Sequence, residues 1–309
     1  MSRRGCLGLV LLLATVGVRA VGPDDEQELI QDRHFRQGFI LWETKPGQHV
    51  RYGELRTTEP GGLTWGLSQW SSRFPLGPQT AGPTGSLLVW SNAAKRITLR
   101  RGLDIAMAVN SAVEYGPVAR TKTAPWVHLL AEQEFARSAS FAQLTSAVLH
   151  VEARLLRARN LHHGDYSPDV HAAQFQIFFT VQNRNRKSQG HGDLLWFGVP
   201  LYDSRHRFPM EFKARDFGGT AKFIFTPGGQ TFTTNSTHDG QWVSIDKEVL
   251  PLMKEALALA WARGFLPASR APEDYHIGGM NIGWEMPGSF EVEMQVRNLS
   301  LKVKRRPAG

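Results

Sequence analysis

The sequence predicts an all-β sandwich with one amphipathic helix on the outside, and three observations carry that expectation. Short runs of β-branched and aromatic residues recur between clusters of Gly, Pro, Ser and Asn, two later runs alternate polar and apolar residues with period two, and helical spacing stands out in a single stretch. The strand-like runs come in order at residues 63–70, 86–91, 103–109 and 146–152, and residues 75–85, rich in Pro and Gly, read as a long loop. In residues 174–182, Phe175, Ile177, Phe179 and Val181 fall on one side, suited to a core. Gln174, Gln176, Phe178, Thr180 and Gln182 fall on the other, suited to a polar groove. The closing run from Phe290 alternates Glu291, Glu293, Gln295 and Arg297 with Val292, Met294 and Val296, a strand with one wet face. Residues 251–263 repeat Leu252, Met253, Ala256, Leu257, Ala260 and Trp261 at helical spacing, with Pro251 fit for the first turn and Gly264 for the C-terminal cap. No fixed repeat is visible, which argues against a propeller or solenoid.

The N-terminus reads as a signal peptide. Arg3 and Arg4 precede an apolar run over residues 7–18, and Val18-Arg19-Ala20 is a small-residue cleavage pattern. The expected organisation is a leader at 1–20, a flexible lead-in at 21–34, one domain at 35–304 and a basic tail at 305–309, in a secreted or periplasmic monomer. The apolar run is too short to span a bilayer and no later segment supplies a transmembrane helix. Cleavage takes away Arg3, Arg4 and Arg19 and no acid, lowering a formal charge of +8 by three. A basic balance favours anionic partners, but export speaks against nucleic acid. The one cysteine, Cys6, lies in the leader, so the exported chain has no thiol catalysis, no cysteine-based zinc site and no disulfide.

The densest functional signal is the polar-faced strand at 174–182, its following loop Asn183-Arg-Asn-Arg-Lys-Ser-Gln-Gly-His-Gly-Asp193 and the strand 194–200, joined with Gly278-Gly-Met-Asn-Ile-Gly-Trp-Glu285. In the order of these elements the chain resembles the concanavalin A-like jelly rolls, and distantly the endoglucanases and xyloglucan hydrolases of glycoside hydrolase family twelve. The resemblance implies a nucleophile at the position of Gln176 and an acid/base at Glu285. Gln176 is a departure, since an amide cannot form a glycosyl ester, and retaining hydrolysis uses two carboxylates about 5–5.5 Å apart. Glu132 is the candidate replacement, on a run where Trp126, His128 and Leu130 share its face. An aromatic face with an imidazole and a carboxylate suits a sugar, which stacks on indole and hydrogen-bonds at its edges.

Trp284, Asn92 and the pair Asp203 and His206 complete the candidate substrate-binding set; the pair reads either as acid and base or as a turn with a solvated basic rim. No metal-binding motif is present, and the adjacent His162 and His163 point to opposite faces of a strand. No cofactor is expected beyond a structural calcium, for which Asp165 and Asp169 are the candidate ligands. The expected function is binding of a polysaccharide in a cleft across the concave sheet, with glycoside hydrolysis by Glu285 and Glu132. The alternatives are a non-catalytic, lectin-like protein and a polysaccharide lyase acting on a uronate polymer. Residues 51–56, Gln176 and 211–214 echo jelly-roll alginate lyases, although Phe178 stands where those carry histidine.

Overall fold

The computed structural model describes residues 26–306 except 81, 85, 86, 101 and 218; the leader expected at 1–20 lies outside the described residues. In chain order the strands are β1 (Gln27–Glu28), β2 (Gly38–Trp42), β3 (Arg51–Arg56), β4 (Trp65–Ser68), β5 (Gln79–Thr80), β6 (Gly82–Thr84), β7 (Leu87–Ser91), β8 (Lys95–Arg100) and β9 (Asp104–Asn110). The short helix α1 (Ser111–Tyr115) follows, then β10 (Val127–Glu134), β11 (Leu144–Asn160), β12 (Gln174–Asn183), β13 (Leu194–Asp203), β14 (Phe212–Arg215), β15 (Phe223–Thr226), β16 (Val243–Glu248), the helix α2 (Leu250–Ala262), β17 (Tyr275–Met286) and β18 (Phe290–Arg305).

These strands form two sheets, so the chain is an all-β sandwich as its patterning predicts. One sheet has the order β16-β11-β18-β9-β8-β7-β6, with β1 added on β18; the other runs β14-β15-β13-β12-β17-β10-β4-β2-β3-β5. Pairing is antiparallel except for β13 with β15, β2 with β4 and β3 with β5. The core lies between the sheets. Phe175, Ile177, Phe179 and Val181 of β12 are buried in it, as are Val292, Met294 and Val296 of β18, so the period-two faces fall where the alternation places them.

Helix α2 begins with Pro251 in its first turn, and Gly264 takes a φ of +80° just beyond its end. It touches β11 of one sheet and β13 of the other. Met253, Ala256 and Ala260 are fully buried there and join the core, so the helix seals the gap between the sheets along one side. The stretch expected as a flexible lead-in is tied down from Gln27. Gln27 and Glu28 pair with β18, Glu28 accepts from Leu301 N (2.9 Å) and Ser300 Oγ (2.5 Å), and Leu29 and Ile30 are core residues. Two apolar side chains with a ready strand edge outweigh the acidic composition around them. The expected loop at 75–85 contains the short strands β5 and β6, and Arg305, assigned to the basic tail, ends β18.

Candidate functional site

The outward face of the ten-stranded sheet is recessed. Ser68 on β4, Leu130 on β10 and Asn281 on β17 are 0%, 2% and 5% exposed. Leu130 nonetheless stands apart from the core between the sheets, so its cover comes from side chains on the outer side. Register puts these residues on one floor, with Leu130 opposite both Ser68 and Gly283, Gly283 opposite Gln176, and Glu285 opposite His128 and Gln174. Trp42 lies across β4 at Gly66, where a Cβ would stand only 2.1 Å from the Trp42 Nε1. Trp196 packs edge-on against Phe178 (ring centroids 5.9 Å apart) on the side of β13. Half-buried tryptophans thus flank the trough on two sides.

At the centre, β12, β17 and β10 bring Gln176, Glu285 and His128 together. Gln176 Nε2 donates to Glu285 Oε2 at 2.6 Å, and His128 Nε2 stands 3.8 Å from Glu285 Oε1, beyond hydrogen-bond length. Both the His128 and Glu285 side chains are about one-seventh exposed, at 14% and 16%. Burial pushes the Glu285 carboxyl up to about 7; the Gln176 hydrogen bond opposes this and the negative charge of Asp216 adds to it. Burial likewise presses the His128 imidazole down to about 4, against the nearby carbonyls of Trp126 and Trp70 and the charge of Asp216. Between about pH 4 and 7, then, the pair is a neutral carboxylic acid beside a neutral imidazole. Trp70 packs edge-on against His128 with centroids 5.5 Å apart. Ser68 Oγ, Trp70 Nε1, His128 Nδ1 and Asn281 Oδ1 are buried on or beside this floor without a hydrogen-bond partner in the protein.

The turn behind Trp70 is held by a buried ion pair. Lys95 Nζ meets Glu114 Oε1, both side chains being fully buried, and Glu114 also accepts from Ser72 Oγ (2.7 Å), Arg73 N (2.7 Å) and Phe74 N (3.1 Å). A buried carboxylate with four donors fixes residues 72–74, and through them the turn after β4 that carries Trp70.

The sequence-predicted residues divide. Glu285, Gln176 and His128 converge. Glu132 shares their face but lies four positions from His128 along β10, opposite Asn281, about 13 Å away at the rise of a strand. Its partner is His49 (Nε2 to Oε1, 2.9 Å), whose pKa that hydrogen bond raises; His49 in turn packs edge-on against Trp42. Glu132 therefore does not supply a carboxylate beside Glu285. Trp126, one residue before β10, is 39% exposed at the rim with the Arg120 guanidinium 5.7 Å from its ring.

Trp284 is not a trough residue. Adjacent strand positions face opposite ways, and with Glu285 turned outward the Trp284 indole goes into the core, where it is 0% exposed and its Nε1 donates to Met107 O (2.8 Å). Asp203 is buried by its own partners: Arg205 forks onto it (2.9 and 2.6 Å) and Gln174 Nε2 donates to it (2.8 Å). Burial raises its carboxyl and the Arg205 contacts more than reverse this, holding it below the ordinary range. His206 reaches Asp203 through its backbone N–H (3.2 Å to the carbonyl), so the turn reading describes this segment and the acid-base pair does not form. Asn92 lies in the β7–β8 turn of the other sheet, its amide donating to Phe74 O and Pro75 O and its carbonyl accepting from Ala94 N and Lys95 N. That is a turn-stabilising role away from the trough. Among the described residues no three His, Cys, Asp or Glu side chains gather as a metal site, Asp165 and Asp169 included. The sequence alone does not single out Ser68, Asn281 or Trp70: only strand register shows which of many Ser and Asn residues share this floor, and the His128 N–H to Trp70 carbonyl bond is what sets Trp70 beside it.

No protein-family model matches the chain, and no curated protein sequence matches it. Among solved structures it is distantly similar to a family 12 xyloglucanase from Bacillus licheniformis, with 10% identity, 72% of this chain and 98% of that chain covered, and a TM-score of 0.42. It is also similar to the endoglucanase Cel12A from Rhodothermus marinus (10%, 72% and 93%, TM-score 0.38). A third is the xyloglucanase domain of NopAA, a type three effector from Sinorhizobium fredii, in complex with cellobiose (9%, 77% and 98%, TM-score 0.37). These likenesses are too distant to transfer a residue role. Among the described residues, no helix is long and apolar enough to cross a membrane.

Proposed function

We propose that the protein is exported and binds a polysaccharide chain along the trough, with Glu285 placed to give a proton to a glycosidic oxygen. The observation that carries this is the Glu285 carboxyl, pushed up to about 7 on the floor of a recessed sheet face between tryptophans. A general acid must hold its proton at the working pH and sit where water is scarce, and burial of this carboxyl achieves both. The unpartnered polar atoms of Ser68, Trp70, His128 and Asn281 are receptors for ligand hydroxyls, while Trp42, Trp70 and Trp196 offer apolar faces for sugar rings. Trp42, His49 and Glu132 continue the same face and lengthen it into a site for a chain rather than a single sugar.

One observation favours a purely binding protein. Gln176 occupies hydrogen-bond distance of Glu285 and cannot act as a nucleophile, so double displacement at these two residues is closed. The test is to screen the purified protein against xyloglucan, mixed-linkage β-glucan and uronate polymers, scoring retention and released ends separately. Retention with new reducing ends supports a hydrolase, retention alone a binding protein, and unsaturated ends a lyase. Absence of retention on every polymer would refute the trough as a glycan site.

A further inference from the structure

We infer that the trough continues past Trp196 over β13, β15 and β14 as an apolar ledge, with Phe212 as its outermost platform, so that the ligand it takes is a long polymer rather than a short oligosaccharide. This rests on the trough being a glycan site and names the class of glycan that fills it.

Register carries the ledge outward strand by strand. Phe197 and Phe225 are core residues paired with each other, so Trp196 and Ile224, one step back on both strands and also paired, face outward together. Ala214 stands opposite Ile224 and Phe212 opposite Thr226, and residues directly opposite across a strand pair share a face. Thr226 follows Phe225 and lies over Gly198, where a Cβ would stand 2.1 Å from the Thr226 Oγ1 and 2.9 Å from Phe178 Cε1. Lys213, between Phe212 and Ala214, turns the other way, its Nζ 4.7 Å from the centroid of the Phe225 ring and 3.7 Å from Glu255 of α2. The outer face of the three strands is therefore Trp196, Ile224, Ala214 and Phe212 around a floor of Gly198 and Thr226 that runs on from Phe178. Thr226 and Phe178 are 4% and 8% exposed, whereas Phe212, on the last strand of the sheet, is 47% exposed.

The centre of the trough is polar, with Gln176, Glu285, His128 and Asn281, but the ledge carries apolar side chains and a threonine. Polar groups select a sugar by its hydroxyls, whereas an apolar ledge takes the apolar face of a pyranose whatever its hydroxyl pattern. The ledge thus adds affinity for chain length rather than for sugar identity. Phe212 is level with Asn281 through Thr226, Gly198 and Phe178, so it lies four strand spacings across the sheet from Glu285 and four residues along it, about 19 Å by about 13 Å. A trisaccharide centred on Glu285 ends before Phe212, and a polymer crosses it. Trp196 belongs to both regions: it packs on Phe178 at the trough wall and stands beside Ile224 on the ledge, its indole N–H fixed by donation to Thr220 Oγ1 (3.2 Å).

The experiment measures, by calorimetry on the whole chain, binding of xyloglucan and mixed-linkage β-glucan and of a trisaccharide cut from each. Phe212→Ser is expected to weaken polymer binding about tenfold, the burial that a half-exposed phenylalanine ring has left to gain. Trisaccharide binding and the thermal unfolding midpoint are expected to stay unchanged. Phe212→Trp is expected to hold the polymer as well as the wild type or better. Leu103→Ser, which removes a 55% exposed leucine from the β8–β9 turn of the other sheet, is expected to alter neither ligand's binding. Polymer binding undiminished in Phe212→Ser, equal losses for polymer and trisaccharide, a loss of the same size in Leu103→Ser, or a wild type that holds the trisaccharide as tightly as the polymer would each overturn the inference while keeping the trough as a glycan site. Absence of binding to every polymer and trisaccharide would remove the trough reading itself.

Discussion

Replacing Glu285 by Gln tests the electrostatics of the trough without any substrate. In the folded protein the carboxyl keeps its proton up to about 7, whereas in the unfolded chain it releases it near the usual Glu value of about 4.3. Across that interval the folded state binds more protons, so the fold loses stability as pH rises, by roughly 3 kcal/mol in total, and the loss persists above pH 7. Gln is a neutral isostere that cannot titrate, and it retains an amide contact to Gln176. Glu285→Gln is therefore expected to match the wild type near pH 4.5 and to exceed it by roughly 3 kcal/mol at pH 8. His128 works in the opposite sense. Held down to about 4 in the fold against about 6.5 unfolded, it makes the unfolded state the better proton acceptor between those values, so its share of stability is lost as pH falls. The two slopes overlap and nearly cancel in the wild type, leaving stability flat from about pH 4.5 to 6.5. In Glu285→Gln the His128 slope appears alone, rising by roughly 3 kcal/mol over the same interval. Urea unfolding at pH 4.5, 5.5, 6.5 and 8 measures both effects. Equal stability of the two proteins at pH 8 would show Glu285 ionising like an exposed carboxyl, and the reasoning from burial would fail.

Gly283→Ala is expected to destabilise by about 3 kcal/mol or more, because Gly283 has a φ of +154° and a Cβ there would lie 2.0 Å from the Leu129 carbonyl oxygen; thermal unfolding reads it, and a loss below 1 kcal/mol would contradict it. Lys95→Met strands the buried Glu114 carboxylate and is expected to cost about 3–5 kcal/mol, with only part of it restored by adding Glu114→Leu, because Ser72 Oγ and the N–H groups of Arg73 and Phe74 then lose their acceptor. If the double variant is no more stable than the single one, the pair is not the cause. Gln176→Glu sets a second carboxyl against Glu285 in place of an amide donor; one shared proton is expected, with stability falling more steeply than in wild type as pH rises past 7. Any glycan cleavage is expected to decline as pH passes about 7 and Glu285 loses its proton, a limb that a pH-rate profile would show or deny.

The period-two patterns of β12 and of β18 as far as Val296 are legible because each of these stretches separates core from outer face at every step, whereas the positive φ at Asn298 shifts the rest of β18 by one residue, and α2 is legible from its spacing and end signals. Glu285 and His128 were legible as individual chemistry. What the residues could not reveal was register, which decides neighbours between distant segments. Glu132 and Glu285 both lie on the trough face, yet four residues of strand separate them. Trp284 looked like a sugar platform because tryptophan serves both core and groove, and only its odd position beside Glu285 turns it inward. Asn92 and Asp203 are polar residues near turns, and their polarity is consumed by the turns themselves.

The most direct measurement is a crystal structure of Glu285→Gln soaked with a xyloglucan or cellulose oligosaccharide, the substitution keeping the chain uncleaved. The expected result is a glycan lying across β12, β17, β10 and β4, with a glycosidic oxygen beside residue 285 and rings against Trp42, Trp70 or Trp196. Sugar bound only on the eight-stranded sheet, or a trough that stays empty at saturating oligosaccharide, would contradict it.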